Sequence, residues 1–532
     1  MSSAFDEALL TSSADCYTEI LARRLLSPVM YWNSHHDAPL EDNIYCVPAS
    51  YEDPILYAAE ERAMVVDRYG GNGIGSAGGS GRCGSFGGLQ TKGVGVTPLV
   101  SPDADSYHSS GTMVVEEAAQ ETIMSEVFRF ALPFGAVPVI GFAGTGGTFS
   151  EAAAYGEVHV RRRVVLIRPF ALRPAHFMRN VYHAGSNTYY AGQEYSLDTR
   201  RVRHLIPALD DALCRSGVAD TVDGKLSDHL LRLADRFAAQ AAASFAKRLL
   251  HGGITASNIG LDGRFIDFGT ACHVNAYRRL ARPPGMQDLW NQAGGLEFVL
   301  VSLAEHCTQY LGEKCVPSDV KESLVSRYRR QFRSRIEIEF AKMVGLDEQT
   351  ALACPANILK NFYELLREIW ERGARTPFVS YRPDTRNSPS DCKISSTGRY
   401  NLNAILAILP NSDVSVGDQL EAELSDSNLR ENILFTIRDL KSWVSSQYES
   451  YATDLIETYL SMQAYRKNSS MTFLTREYLS SALIPLETSD PHLITSFIDE
   501  TISRAKFVLH DLHPNLSGDS FSSQLDHLMA IN

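Results

Sequence analysis

The chain has no two cysteines in a C-x-x-C spacing. Its nine cysteines (Cys16, Cys46, Cys83, Cys214, Cys272, Cys307, Cys315, Cys354, Cys392) are scattered and odd in number, which argues against structural zinc and fits a reducing compartment. No apolar run is long enough to span a membrane, because the most apolar stretch, Phe130 to Gly144, is short and broken by Pro133, Gly135 and Pro138. Between Met1 and Asp15 no basic segment precedes an apolar core, so no signal peptide is expected and the cytoplasm is the expected location. Basic residues are in deficit: 50 Lys and Arg against 63 Asp and Glu give a formal charge of -13. That balance disfavours nonspecific binding of nucleic acid or membrane by the whole molecule. No internal repeat is detectable. What remains is an ordinary globular composition, 44% hydrophobic and 21% charged, over 532 residues, long enough for two or three subdomains.

The chemistry concentrates in a few stretches. Between Gly70 and Gly95 lies GGNGIGSAGGSGRCGSFGGLQTKGVG, with ten glycines before Lys92. Glycine lets a backbone approach phosphate oxygens closely and turn amide hydrogens toward them; a flexible Gly/Ser linker is the competing reading. Leu89, Thr91, Lys92, Val94 and Val96 read as a strand carrying a lysine directly after the loop. Residues 112–130 then show helical spacing, with Val115, Ala119, Ile123 and Val127 on one stripe and Glu117, Glu121 and Glu126 elsewhere. Val158, Val160, Val164 and Leu166 alternate as a half-buried strand. Arg161 to Arg163 interrupt it, either as a solvated edge or as a polyanion-binding ridge. Arg168 and Arg173 flank its exit and present two guanidinium forks suited to phosphate.

A long amphipathic helix over 226–250 leads into HGGITASNIGLDGRFIDFGT, His251 to Thr270. Asn258 follows His251 by seven residues, and Asp267 follows Asn258 by nine at the end of an apolar run expected to be a buried strand. An amide oxygen and a carboxylate so placed can hold Mg²⁺, which takes one or two protein oxygens together with substrate phosphates. Residues 287–312 and 319–345 read as helices, with Trp290 and Phe298 expected in the core. Residues 375–401, rich in Pro, Ser, Asp and Arg, read as an exposed linker. Beyond it Leu429, Ile433, Ile437, Leu440 and Val444 share a helical stripe.

Glycine-rich segment, strand lysine, helix glutamate, arginine pair, His-Gly with Asn, then Asp-Phe-Gly is the linear order of a kinase-like fold. With KGVGVTP at Lys92 to Pro98, the chain resembles the SelO-type protein adenylyltransferases over roughly residues 68 to 300. The resemblance implies an α+β, atypical protein-kinase-like bilobal fold. Its parts would be an N-terminal extension (1–66), a β-rich N-lobe (67–170), a mostly helical C-lobe (171–372) and a linker with a helical C-terminal region (373–532). It further implies ATP and Mg²⁺ as cofactors. Gly78, Gly79, Gly81, Arg82 and Gly93 would line the phosphates with Lys92. Glu121 would partner Lys92, and Glu126 matches the family's second glutamate. Arg168 and Arg173 would hold the phosphates of an inverted ATP, and Asn258 and Asp267 the metal, which leaves Lys92, Glu121 and Asp267 as the expected catalytic set.

Two departures bear on the acceptor. The family carries Asp directly before the metal-binding Asn, where this chain has Ser257; small-molecule kinases place a base two residues after the histidine, where it has Gly253. A positioned base is worth roughly 10² to 10⁴ in rate to a hydroxyl acceptor, whereas a carboxylate acceptor is already ionised. A carboxylate attacking the α-phosphate of ATP is therefore the expected chemistry. A looser resemblance, to the maturation proteins of siderophore microcins, would make the acceptor a peptide C-terminus joined to a glucosylated siderophore with an acyltransferase-like protein partner. Stable AMPylation of protein hydroxyls and a non-catalytic nucleotide-binding scaffold are the alternatives. RNA binding by the arginine ridge is disfavoured by net charge and by the lack of interleaved aromatics.

Overall fold

The computed structural model describes residues 2–26, 29–33, 44–47, 57–70, 78–100, 106–152, 158–180, 198–219, 224–277, 286–373, 400–411, 416–511 and 520–531. Residues 71–77 of the glycine-rich segment, 374–399 of the expected linker and Cys392 lie outside them.

Eight strands form one antiparallel sheet: β1 (Tyr17–Leu25), β2 (Val29–Trp32), β3 (Tyr45–Cys46), β4 (Tyr57–Asp67), β5 (Cys83–Phe86), β6 (Leu89–Lys92), β7 (Gly141–Ala152) and β8 (Val158–Pro169). Their spatial order is β2-β7-β8-β6-β5-β4-β1-β3. The sheet crosses the boundary suggested at residue 66: Val65 of β4 pairs with Ser85 of β5, and β2 lies against β7. At Arg161 and Arg162 β8 pairs with β7 alone, because β6 ends at the Lys92–Leu166 pair, so the run begins on a sheet edge; that edge is half-buried rather than solvated, with the Arg162 amide donating to Glu487 and Arg163 buried beside Val114. The strand read through Val96 ends at Lys92, where Gly93 turns the chain with φ of +88°. The last two of the ten glycines before Lys92, Gly87 and Gly88, form the tight turn between β5 and β6 with φ of +62° and +81°, a conformation that favours glycine at both central positions.

Helix α1 covers Ser2–Thr11 and α2 covers Val115–Ala131. The predicted stripe of α2 is fully buried, and so are Ala118, Glu121, Thr122, Met124 and Ser125 on its other sides. One face packs on the sheet through Val164 and Leu166, and C-terminal helices cover another. Helix α3 (Leu226–Ala246) buries Leu230, Leu233 and Phe237 completely. It runs into β9 (Leu249–Leu250), which pairs with β10 (Cys272–His273). That pairing closes residues 251–271 into a loop anchored at both ends. The strand expected before Asp267 does not form: Phe265 makes isolated bridges to Ala136 and Ile259. A two-residue apolar run needs only to be buried, and Phe265 and Ile266 are buried as extended loop.

Helices α4 (Gln292–Leu311), α5 (Val320–Met343), α6 (Ala356–Gly373), α7 (Ser427–Gln447), α8 (Thr453–Lys467), α9 (Arg476–Leu483) and α10 (Pro491–Leu509), with four further helices among the described residues, build most of the remainder. Trp290 packs against Phe245 and Trp370. Phe298 is not core: it is 69% exposed, on the side of α4 opposite Leu296, Val299, Leu300 and Leu303. The C-terminal helices share cores with what precedes them. Leu479, Leu483, Ile494 and Ile498 join the core of α2 and α3, and the α7 stripe joins that of α5 and α6.

A Cβ added at Gly93 would lie 2.7 Å from the Val164 carbonyl oxygen and 2.8 Å from Met113 Cβ. With the left-handed φ, Gly93→Ala is expected to cost about 2 kcal/mol or more, read as a lower urea midpoint; an unchanged midpoint would contradict this packing role.

Candidate functional site

Lys92 is the last residue of β6. Cross-strand register places Lys92 opposite Leu166 and Gln90 opposite Arg168, so these four side chains share one face of the sheet, the face that α2 covers. Glu121 of α2 meets both cations there. Its Oε2 accepts from Lys92 Nζ at 2.6 Å and its Oε1 from Arg168 Nη1 at 2.6 Å. Lys92 Nζ also donates to Asp267 Oδ1 at 2.8 Å and lies 3.4 Å from Glu117 Oε1. Three segments far apart in sequence thus converge on one ammonium. Side-chain exposure is 2% for Lys92 and 1% for Glu121 but 37% for Asp267, so the cluster opens to solvent at its aspartate end. Asp267 holds a φ of +70°, a conformation uncommon for residues other than glycine and enriched at functional sites. Desolvation opposes ionisation of Asp267, but Lys92, Arg168 and Arg82 overcome it and keep the carboxyl far below the usual carboxylate range. The same balance raises Lys92: burial favours its neutral form, and Asp267 and Glu121 more than reverse that.

Around this centre lies a ring of paired groups. Arg82 makes a two-pronged pair with Glu117 at 2.6 and 3.1 Å and donates to the Thr112 carbonyl at 3.0 Å. Tyr107 donates its hydroxyl to the same carboxylate. Despite burial, Arg82 and Lys92 hold Glu117 down at about 2. Gln120, the neighbour of Glu121, donates to the Gly269 and Ala271 carbonyls at 3.3 and 3.0 Å, tying α2 to the chain after Asp267. Gln90 accepts from Arg168 Nε and Nη2 at 3.1 and 2.9 Å and from Arg173 Nη2 at 3.0 Å. Arg173 also donates to the Ser257 carbonyl at 3.1 Å, yet makes no ion pair among the described residues. Its Nε and Gln90 Nε2 are buried without a hydrogen-bond partner there. Buried donors left in that condition cost free energy until an acceptor arrives. Behind Arg173, His176 accepts from the Arg173 amide at 3.0 Å through Nδ1 and meets Asp67 through Nε2 at 3.0 Å.

The loop after β9 is held from within. His251 Nε2 donates to the Ile266 carbonyl at 3.1 Å, and Nδ1 accepts from the Gly253 amide at 3.3 Å. Burial pushes this imidazole down to about 4, so it is a neutral bracket and no acid. Thr270 Oγ1 donates to the His251 carbonyl at 2.7 Å. The Ile266 amide donates to the Asn258 carbonyl at 3.1 Å, which brings Asn258 beside the residue preceding Asp267. Asn258 Nδ2 donates to the Gly253 carbonyl at 2.7 Å, which fixes the amide and leaves Oδ1, among the described residues, only a long hydrogen bond from Ser257 Oγ at 3.4 Å. The Asp267 side chain is partly open to solvent. This donor set fits Mg²⁺, which needs few protein oxygens when a phosphate supplies others. Among the described residues no cluster of three His, Cys, Asp or Glu suits a metal.

The structure therefore gathers Lys92, Glu121, Arg168, Arg173 and Asp267, with Asn258 on the same loop and Arg82 through Glu117. Other expected residues behave differently. Gly78 and Gly79 strap the end of β4, where the Gly78 carbonyl accepts from the Tyr69 amide at 2.9 Å and Gly79 bridges Arg68, and the Gly81 carbonyl accepts from the Thr97 amide, past β6, at 3.2 Å. Glu126 faces away from Lys92 and pairs with Arg129 at 2.7 Å and Asn33 at 3.2 Å; Glu117, one helical turn before Glu121, is the α2 carboxylate that lies near Lys92 beside Glu121, at 3.4 Å. Gln90, Gln120, Tyr107 and His176 escaped the sequence reading. Two of them had a usable signal, since Gln90 shares a strand face with Lys92 and Gln120 adjoins Glu121. No protein-family model matches the chain, and no curated protein matches it significantly.

Lys92→Met leaves Arg168 on Glu121 but strands Asp267. A loss of about 3 kcal/mol is expected, the low end for a broken buried pair, because Asp267 keeps access to water; a denaturant series checks it. His251 supplies a pH signature. Its pKa is lowered on folding, so the unfolded chain binds the extra proton, and stability falls as pH drops from 6.5 toward 4, by roughly 3 kcal/mol at most. His251→Gln should flatten that limb of a stability-against-pH curve.

Proposed function

We propose that the chain is an ATP- and Mg²⁺-dependent adenylyltransferase of kinase-like bilobal architecture that activates the C-terminal carboxylate of a peptide. The observation that carries this reading is the convergence of Lys92, Glu121 and Asp267, with Arg168 on the same glutamate. Lys92 and Arg168 supply fixed positive charge for a phosphate chain, and Glu121 holds both rigid, so little reorganisation is needed when charge develops. Arg173, with an Nε unused and no ion pair among the described residues, offers a further anion contact. Asn258 and Asp267 would hold Mg²⁺, which supplies charge neutralisation at the phosphates.

No carboxylate stands at Ser257, whose hydroxyl faces Thr255 Oγ1 at 3.0 Å. That absence favours an acceptor that needs no deprotonation. The acceptor carboxylate oxygen attacks the α-phosphorus, its bond to the bridging oxygen breaks, and pyrophosphate leaves with that electron pair, giving an acyl adenylate. An acyltransferase-like partner would then take the activated peptide onward. One observation favours a second reading, a nucleotide-binding scaffold without chemistry: Lys92 sits directly on Asp267, so a bound metal must compete with an ammonium for that oxygen.

Magnesium-dependent exchange of pyrophosphate into ATP, stimulated by a peptide with a free C-terminus, is the expected result. Asp267→Ala and Asn258→Ala should each reduce it roughly 10²-fold. AMP found stably on Ser, Thr or Tyr would replace the carboxylate by a hydroxyl acceptor. Binding of Mg·ATP without exchange would leave the scaffold.

A further inference from the structure

The arginine run on β8 has a use that the candidate site does not account for. Arg161 Nη1 pairs with Glu116 of α2 at 2.9 Å, and Ser480 Oγ of α9 donates to the same carboxylate at 2.7 Å. Arg162 Nη2 donates to the Leu486 and Ser489 carbonyls, both at 3.0 Å. These carbonyls belong to the 3-10 turn between α9 and α10 and to the residue that ends it. The same turn carries Glu487, whose Oε1 accepts from the Glu116 amide and Oε2 from the Arg162 amide, each at 3.0 Å.

The Glu116 amide is one of the first-turn donors of α2, which a helix leaves without an internal acceptor. Such donors are ordinarily met by Ser, Thr, Asp or Asn at the preceding position. Here that position is Val114, extended and with no side chain able to cap. A carboxylate from 371 residues away fills the role, adding negative charge at the positive end of the helix dipole. Glu487 is 6% exposed. Helix α2 is the element that carries Glu117, Gln120 and Glu121, so whatever sets its N-terminus sets the carboxylate that orients Lys92 and Arg168.

We propose that the C-terminal region acts in cis as the brace of α2, with Glu487 the positioning residue that seats Glu121 against Lys92. This rests on the adenylyl-transfer reading only for its effect on nucleotide, because the brace itself is measurable without ATP. In full-length Glu487→Ala, hydrogen exchange over residues 115–121 should quicken roughly fivefold, modification of Lys92 by an amine reagent should rise by a similar factor, and Mg·ATP affinity should fall correspondingly. Glu487→Gln, which keeps one acceptor oxygen, should fall between. Asp426→Ala is the control. It removes the cap of α7, where Asp426 Oδ1 accepts from the Leu429 amide at 3.1 Å, and should loosen α7 without changing Lys92 labelling. Unchanged protection over 115–121, faster exchange with no change at Lys92, or equal Lys92 labelling in the Asp426 variant would each overturn the proposal. A wild-type chain that binds no Mg·ATP removes the adenylyl-transfer reading and leaves the brace to be decided by exchange and labelling.

Discussion

A lysine ammonium with almost no access to water is the constraint around which this molecule is arranged. Desolvating such a charge costs several kcal/mol unless carboxylates meet it at hydrogen-bond distance. Lys92 meets Glu121 and Asp267 within 2.8 Å, with Glu117 close behind. Satisfying it requires β6, α2 and the loop after β9 to be in register at once, so one side chain couples the sheet to the helical region. The cluster is closed at Lys92 and Glu121 and open to solvent at Asp267.

The surrounding structure keeps that meeting in place. α2 is enclosed, with the sheet against one face and C-terminal helices against another. A helix buried on most sides cannot rotate a glutamate away without breaking core packing. At its N-terminus the backbone donor that Val114 cannot satisfy is met by Glu487, and at its middle Gln120 holds the chain after Asp267. The C-terminal region thus braces the helix that carries Glu121, although none of its described residues bonds to Lys92.

Legibility followed physical range. The stripe at Val115, Ala119, Ile123 and Val127, the helix entering His251 and the stripe from Leu429 to Val444 were readable because helical periodicity is local. Lys92, Glu121, Arg168 and Asp267 stood out by residue type and order. What was not readable depended on register or on distant partners. Gln90 is an unremarked glutamine until β6 is set against β8. The arginine run reads as solvated until Glu116, Leu486 and Glu487 are seen against that edge of β8. Phe298 reads as core until the buried side of α4 is known.

By itself the sequence determined that an α+β chain would form, with no membrane-crossing apolar run, and that its cations and carboxylates would cluster in a few stretches, since composition and periodicity act within a few residues. Only the tertiary structure decided which carboxylate meets which cation, that residues 1–66 supply strands to the same sheet, and that a glutamate near residue 490 caps a helix near residue 115. Those choices turn on cross-strand register and on the burial of unpaired polar groups. They are settled when the whole chain packs and leave no trace in local spacing.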